Sequence, residues 1–223
     1  MTPLQNRLTE LYGKLPDEVT LVAVSKFHPA ELIREAYDCG QRDFGESRAQ
    51  ELLEKKGQLP GDIRWHFIGH LQKNKVKSIV PFVHLIHSVD SLPLLAEIDK
   101  QANKAGRVIP VLLELHVAEE TTKSGFAPNE LMQMFESGTW KSMHNVKISG
   151  LMCMATNTDD IERICSDFDK ALSVYDDVKK RFFNDNPDFF IKSWGMSHDW
   201  TEAISHGSSM VRIGTYIFGQ REY

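Results

Sequence analysis

The feature that most constrains the fold of this 223-residue chain is a repeated alternation of short β-rich runs with longer stretches of helical spacing. The first run, residues 19–25 (VTLVAVS), is rich in β-branched residues, which is typical of a buried parallel strand. Pro29 follows at a place where the first turn of a helix tolerates proline. Residues 30–38 then carry apolar side chains at helical spacing, and Gly40 ends the helix.

The same alternation continues along the rest of the chain. Further strands are predicted near Phe44 and at residues 63–68, 82–86, 108–117, 146–152, 189–192 and 210–213. Helices are predicted through Ala49, Leu52 and Leu53, at about residues 71–79, 92–105, 129–136, 159–180 and 199–206, near Tyr216, and before Val19. Eight strand–helix units with no break in composition predict one α/β domain over residues 1–223, a (β/α)8 TIM barrel with an extra N-terminal helix. An open doubly wound sheet is the alternative.

Charge and cysteine usage limit the class of protein. A formal net charge of −5 lacks the basic field of a nucleic-acid-binding protein. The densest basic run, residues 73–77 (KNKVK), is interpreted as a solvated helix face. Cys39, Cys153 and Cys165 are odd in number and far apart, which is typical of a reducing compartment. With no apolar signal segment and no run of about 20 apolar residues, we expect a cytoplasmic protein without a nucleic-acid or membrane partner.

Lys26 is the first candidate for chemistry. In such a barrel the active site lies where strands end and the following loops begin. Strand alternation puts Val22, Val24 and Lys26 on one face, so the ammonium is expected at the barrel mouth. Partial desolvation there makes the neutral amine of a lysine a nucleophile. The alternative is a lysine that ends a strand and extends into water.

Residues 211–219 (VRIGTYIFG) are the second candidate, because they end the last predicted strand and enter a helical turn. Barrels often bind phosphate with the loops after strands seven and eight and the N-terminus of a short helix. Gly214 would let the backbone approach an anion, and Thr215 would add a hydroxyl donor. An ordinary turn with a helix cap is the alternative.

Ser197 lies in the loop after the predicted seventh strand. Its hydroxyl can donate to the same anion, cap the helix that begins near Asp199, or do both. Ser197 and Thr215 stand in adjacent strand–helix units, as a shared phosphate site requires. Their coincidence favours a phosphate site over either motif alone.

Arg212 lies two residues before Gly214, so it is expected on the same face of the strand. An inward-facing arginine is costly unless it meets an anion or a ring acceptor. It can contact a phosphate or a cofactor's ring nitrogen, and both roles stay open. The alternative is a structural salt bridge to a carboxylate such as Glu46 or Glu114.

No metal site is predicted. His66 and His70 are four residues apart but span a strand and its loop, so they do not converge as they would on a helix. His84 and His87 are excluded by the same reasoning. The chain also lacks a nucleophile elbow, a Walker A motif and a G-x-G-x-x-G motif.

These motifs, in this order, resemble the pyridoxal phosphate homeostasis protein family, which itself resembles the barrel domain of alanine racemase. The matching segments, which span Leu21 to Arg221, are residues 21–26 (LVAVSK), 43–46 (DFGE), 65–72 (WHFIGHLQ), 74–75 (NK), 87–90 (HSVD), 123–125 (KSG), 150–152 (GLM), 195–197 (GMS), Asp199, 211–214 (VRIG) and 217–219 (IFG). Each segment alone is weak, whereas the ordered set is specific to the family. Ser47 departs from the common pattern, in which asparagine follows Phe-Gly-Glu.

The resemblance implies that Lys26 holds pyridoxal 5'-phosphate (PLP) as an internal aldimine. It implies that Ser197, Gly214 and Thr215 hold the phosphate and that Arg212 lies at the cofactor. It further implies a protein that buffers PLP or delivers it to PLP-dependent apo-enzymes. We expect that protein to be a monomer.

Two other functions are considered. An amino-acid racemase needs acid–base groups on both faces of the substrate adduct. In alanine racemase one of them comes from a second, β-rich domain of a partner subunit, whereas this chain ends at Tyr223, directly after the last barrel unit. We therefore expect little or no catalysis, with at most trace racemisation. A sugar-phosphate enzyme without PLP is the third possibility, and it predicts a colourless protein.

Overall fold

The protein is a closed eight-stranded parallel barrel in a computed structural model that describes residues 1–119 and 124–220. The strands are β1 (Thr20–Val24), β2 (Asp43–Glu46), β3 (Arg64–Phe67), β4 (Leu85–Val89), β5 (Ile109–Leu115), β6 (Val146–Cys153), β7 (Ile191–Ser193) and β8 (Met210–Ile213). They follow one another in chain order, and β1 pairs with both β2 and β8. The predicted barrel is therefore confirmed and the open sheet is wrong. Lys123, quoted among the motifs, and Arg221, named as the end of the span they cover, lie outside the described residues.

The helices alternate with the strands around the outside of the barrel. They are α1 (Pro3–Lys14), α2 (Ala30–Asp38), α3 (Ala49–Gln58), α4 (Lys73–Ile79), α5 (Leu92–Lys104), α6 (Pro128–Glu136), α7 (Ile161–Phe182), α8 (Trp200–Ser205) and α9 (Thr215–Phe218), with a 3-10 turn at Thr139–Ser142. The extra helix α1 begins at a capping box, in which Thr2 Oγ1 accepts from Gln5 N–H and the Gln5 side chain accepts from Thr2 N–H. Within the described ranges no helix combines the length and apolar character that crossing a membrane requires.

Strand alternation divides the apolar core into two parts. The outward-facing side chains pack against the helices in one large cluster. A smaller cluster fills the lower barrel interior with Val22, Leu85, Leu112, Met152, Ile191 and Met210. Two residues further along four of these strands, the inward positions carry His87, Glu114, Ser193 and Arg212, all of them buried. The upper interior, where barrels usually hold branched apolar residues, is therefore polar.

One strand begins later than its predicted position. The sequence predicts a strand over residues 82–86, whereas β4 spans Leu85–Val89. Phe82 N–H and Val83 N–H both donate to Ile79 O, which places these two apolar residues in the turn that follows α4. His87 and Ser88, polar residues expected in a loop, lie inside the strand instead. Polar side chains are accommodated there because they are hydrogen-bonded.

Candidate functional site

Lys26 lies in a tight turn directly after β1, at the carboxyl end of the barrel, and is partly buried. His28 N–H closes the turn by donating to Ser25 O at 3.1 Å. Between them Phe27 has a φ of +67°, a left-handed conformation that is strained for a bulky side chain. Such a conformation persists only where the surrounding structure holds it.

Side chains of helix α3 form hydrogen bonds with the backbone of this turn. Glu51 Oε1 accepts from Phe27 N–H at 2.6 Å, and Lys55 Nζ donates to Ser25 O at 2.8 Å. The Arg48 guanidinium covers the Phe27 ring at 4.7 Å from its centroid. Because the residues on both sides of Lys26 are bonded to α3, the backbone position of Lys26 is fixed.

A buried ionic cluster completes this anchor. Lys55 Nζ lies 2.7 Å from Glu46 Oε1 and 2.6 Å from Glu51 Oε1, and Ser25 Oγ donates to Glu46 Oε1 at 2.6 Å. Burial raises the pKa of Glu46 to about 7 against the opposing pull of Lys55. Burial of Glu46 therefore opposes its ionisation, while Lys55 and the Ser25 hydroxyl favour it. From the sequence, Glu46 was considered as a possible partner of Arg212 and as part of the segment 43–46. Lys55 was not predicted.

The predicted phosphate residues come together between the ends of β7 and β8. Ser197 Oγ accepts from Gly214 N–H at 3.2 Å and from Tyr216 N–H at 3.5 Å. Thr215, the first residue of α9, is exposed beside them. Ser197 thus bonds across to α9, while Asp199, the N-cap of α8, holds the loop by accepting from Met196 N–H at 2.5 Å.

Gly214 brings this end of the site against β1. A Cβ at Gly214 would lie 2.9 Å from Val24 O and 3.1 Å from Val24 Cβ, so no larger residue fits without a shift of the strands. The glycine is thus required by the close approach of two strands, a different reason from the predicted approach to an anion. The His28 ring also stacks on Phe218 at 5.1 Å. Both contacts hold the Lys26 turn beside α9.

Arg212 is buried inside the barrel. Its Nη1 donates to Ser193 O at 2.6 Å and to Ser193 Oγ at 2.7 Å, and its Nη2 donates to Cys153 O at 2.9 Å. Burial lowers the pKa of this guanidinium. Among residues 1–119 and 124–220 no carboxylate forms an ion pair with it, so the salt bridge to Glu46 or Glu114, considered as the alternative, is not formed.

Glu114 is a buried carboxyl on β5, at an inward position of the barrel. Burial, and then the negative charge of Asp90, raise the pKa of Glu114 to about 7, while the charge of Arg212 opposes them. The sequence named Glu114 only as a possible salt-bridge partner. Burial, rather than an ion pair, is therefore the main influence on the pKa of this carboxyl.

Sequence reasoning also missed a row of hydrogen-bonded side chains beneath Arg212. Ser193 Oγ lies 3.0 Å from His87 Nδ1, His87 Nε2 lies 2.8 Å from His66 Nδ1, and His66 Nε2 lies 2.9 Å from Asp43 Oδ1. The two histidines come from neighbouring strands, β3 and β4. The signal was therefore one inward position on each of two adjacent strands, not a spacing within one segment.

The base of this row is a hydrogen-bonded cluster. Asp43, His66 and His84 each bring a possible ligand atom within 4.8 Å of the others. However, the Arg64 guanidinium bonds both carboxylate oxygens of Asp43, which places a positive charge where a metal ion would compete. His70 lies elsewhere, paired with Asp90 at 3.1 Å.

Comparison with known proteins gives consistent matches over nearly the whole chain. Residues 2–222 match the family model of the alanine racemase N-terminal domain. A pyridoxal phosphate homeostasis protein of Aquifex aeolicus is 42% identical over 215 residues, covering 96% of this chain and 92% of that protein.

Solved structures of related proteins also match this chain over nearly its whole length. PipY of Synechococcus elongatus without PLP matches with a TM-score of 0.90 at 35% identity, covering 97% of this chain and 100% of that one. PipY with PLP bound matches with a TM-score of 0.87 at the same identity and coverage. An alanine racemase of Clostridium difficile, at 15% identity and a TM-score of 0.80, shares the fold; the match covers 99% of this chain and 60% of that one.

Proposed function

Because this chain belongs to the pyridoxal phosphate homeostasis protein family, we propose that it binds PLP at the carboxyl end of the barrel and serves PLP homeostasis and delivery. The supporting observation is the contact between Gly214 and Val24, which sets a lysine-bearing turn beside a group of backbone N–H donors. A phosphorylated aldehyde is the ligand that needs both an amine and an anion site. PipY, solved with PLP bound, has the same fold at 35% identity.

Lys26 supplies the amine. When bound, PLP supplies an aldehyde that reacts reversibly with amines. The neutral amine of Lys26 adds to the aldehyde carbon and one water leaves, so a C=N bond replaces the C=O bond. Hydrolysis, or exchange with another amine, restores the free lysine. The same side chain can therefore hold the ligand and release it.

The anion site lies one strand away. We assign the phosphate to the N–H groups of Gly214 and Tyr216 with the hydroxyls of Ser197 and Thr215, because backbone donors at the start of a helix favour negative charge. Ser197 Oγ accepts from these two N–H groups and keeps one hydrogen of its own to donate. These neutral donors bind the dianion while leaving its release possible.

Arg212 is assigned to the pyridine ring. It lies two residues before Gly214 on β8 and bonds deeper inside the barrel, to Ser193 and Cys153. Since a guanidinium only donates, a ring nitrogen that meets it stays unprotonated. An unprotonated ring withdraws electrons weakly, which suits a carrier better than a catalyst.

We propose little or no catalysis, in keeping with relatives whose names describe homeostasis. A low-activity PLP-dependent amino-acid racemase is the second candidate. It is favoured by the alanine racemase-like barrel and by Glu114, a carboxyl with a pKa of about 7. Assays of alanine, serine and threonine racemisation separate the two. Turnover at enzyme-like rates that is lost in Lys26→Ala would contradict the carrier.

We further propose a cytoplasmic monomer, one domain over residues 1–223, that passes PLP to PLP-dependent apo-enzymes. The three cysteines are free, as in a reducing compartment. Reactivation of a purified apo-enzyme by the loaded protein, compared with an equal concentration of free PLP, tests delivery. Light scattering tests the monomer.

The decisive experiment is the visible absorption spectrum with added PLP, before and after borohydride, followed by peptide mapping. An imine band that borohydride traps on Lys26 supports the proposal. No band, or an adduct confined to another lysine, contradicts it and favours a PLP-free phosphate site.

A further inference from the structure

A continuous series of hydrogen bonds crosses the barrel interior from Arg212 through Ser193, His87 and His66 to Asp43. We call it the interior chain. All five side chains are buried, and they come from β8, β7, β4, β3 and β2. Apolar packing does not require the polar atoms of the middle three side chains. The polar contacts themselves therefore need an explanation.

The groups at the two ends favour one direction for the bonds of the interior chain. Arg212 has only N–H donors, so Ser193 Oγ accepts from it and gives its single hydrogen to His87 Nδ1. His87 is then the Nε2–H tautomer and donates to His66 Nδ1. His66 in turn is the Nε2–H tautomer and donates to Asp43.

Asp43, at the other end of the interior chain, favours the same direction for these hydrogen bonds. Although burial alone would raise it, bonds from Arg64 and His66 lower the pKa of Asp43 to about 2, so this group is an acceptor at neutral pH. Burial also lowers the pKa of His87 well below its usual value, which keeps that ring neutral. A guanidinium at one end and a carboxylate at the other thus fix the tautomers between them.

We propose that Asp43, His66, His87 and Ser193 are positioning residues that orient Arg212 toward the pyridine ring of bound PLP. The inference rests on the proposed function. A hydroxyl can rotate, and a Ser193 free of His87 would have other orientations. Bonded to His87 it presents a lone pair to Arg212 permanently, and each successive bond polarises the next toward that lone pair.

Charge is balanced separately at the two ends of the interior chain. Arg212 lacks an ion-pair partner among the described residues, and an isolated buried cation is costly; the negative charges of Asp199 and Glu114 oppose that cost. The carboxylate of Asp43 is paired with Arg64 at the base of the barrel. Arg64 holds that carboxylate at the rim of an open cavity of about 540 Å³ that both residues line. A change at Asp43 can therefore be transmitted along these hydrogen bonds to Arg212.

Two measurements test the proposal, and the first needs no PLP. Nitrogen-15 NMR of the imidazoles in the wild-type protein should show His87 as a neutral Nε2–H tautomer whose Nδ1 accepts a hydrogen bond. The Nδ1–H tautomer at His87 would overturn the direction of the interior chain. This measurement holds whether or not any variant folds.

The second measurement uses Ser193→Ala, with Ser149→Ala as the matched control. Ser149 is a buried strand serine on β6 that bonds Lys147 O instead of the interior chain. We expect Ser193→Ala to weaken PLP binding about tenfold, through loss of a hydrogen bond to a charged group. We also expect it to shift the pH midpoint of the imine band, whereas Ser149→Ala changes neither.

The outcomes separate the two proposals. If the wild type forms an imine and Ser193→Ala changes neither its affinity nor its pH midpoint, the positioning role is overturned and the proposed function stands. If the wild type forms no imine at all, the proposed function fails, and the role toward the ring fails with it.

Discussion

The Lys55 ammonium lies 2.7 Å from Glu46 Oε1, and both side chains are buried beneath the turn that contains Lys26. The same ammonium donates to Ser25 O, the residue before Lys26. One buried cation therefore joins the end of β2, helix α3 and the start of the lysine turn. Removing one partner of such a cluster leaves buried charge without compensation, whereas an exposed pair contributes little.

Lys55→Met should destabilise the fold strongly. It leaves Glu46 and Glu51 close together without a cation, and the expected loss in free energy of unfolding at pH 8 is about 3–5 kcal/mol. Glu46→Gln should cost less, because burial already opposes the ionisation of Glu46 and glutamine keeps an acceptor for Ser25. Urea unfolding measures both. Lys14→Met, which removes an exposed pair with Glu10, is the control, and an equal midpoint for Lys55→Met and this control would contradict the prediction.

Lys26→Ala should abolish the imine band and leave weak PLP binding. The phosphate contacts at Ser197 and α9 remain, so a dialysis experiment should still detect reversible binding that inorganic phosphate competes away. Lys192→Ala is the control, since Lys192 lies over the Tyr175 ring. An unchanged imine spectrum in Lys26→Ala would exclude Lys26 as the attachment point.

Ser197→Ala should weaken PLP binding about tenfold while the imine still forms at saturating PLP. The variant loses one hydroxyl contact to a charged phosphate, worth roughly 1.5 kcal/mol or more. Ser205→Ala is the matched control, because Ser205 Oγ is exposed on α8 and bonds Glu202 O. Fluorescence titration gives both dissociation constants. Equal values for the two variants would remove Ser197 from the phosphate site.

Glu114→Gln should change the pH dependence of stability. Glutamate ionises near 4.5 in the unfolded chain but near 7 at this buried position, so the folded state binds more protons between these values. The free energy of unfolding therefore falls as pH rises from about 4.5 to 7 and stays lower above. The glutamine variant avoids this loss, and its advantage at pH 8 should be on the order of 3 kcal/mol at most.

Urea unfolding from pH 4 to pH 8 checks this prediction. Glu46 titrates in the same window, but it is present in both proteins, so the difference between them reports on Glu114. The two proteins should be equally stable at the acid end. A difference that is independent of pH would contradict the prediction.

The barrel could be predicted from the sequence because its strands are apolar and its helices have clear ends. Residues 30–38 and 210–213 were placed with the bounds of α2 and β8. Apart from β4, the other predicted bounds agree within about two residues. β4 was misplaced because Phe82 and Val83 look like a strand start, whereas His87 and Ser88 look like a loop. Only the closed barrel makes a polar inward position at His87 favourable.

The grouping of the predicted residues was predictable only in part. Lys26, Ser197 and Gly214 were predicted to share one end of the barrel because each follows a predicted strand, and parallel strands bring such positions to one end. Lys55 could not be found, since a lysine four residues after a glutamate usually lies on an exposed helix face. His66 and His87 were compared with their own neighbours, while their contact depends on the pairing of β3 with β4.

Alternation along β8 places Val211 and Ile213 in the outer core and Met210 and Arg212 inside the barrel. Under the proposed function, ligand chemistry would therefore depend on Arg212, while the outward residues of the same strand contribute to thermal stability. A laboratory selection for higher Tm should find its substitutions among the outward positions and helix faces. Substitutions of that kind would leave the colour of the bound ligand unchanged, which makes this barrel a scaffold whose robustness and chemistry can be altered separately.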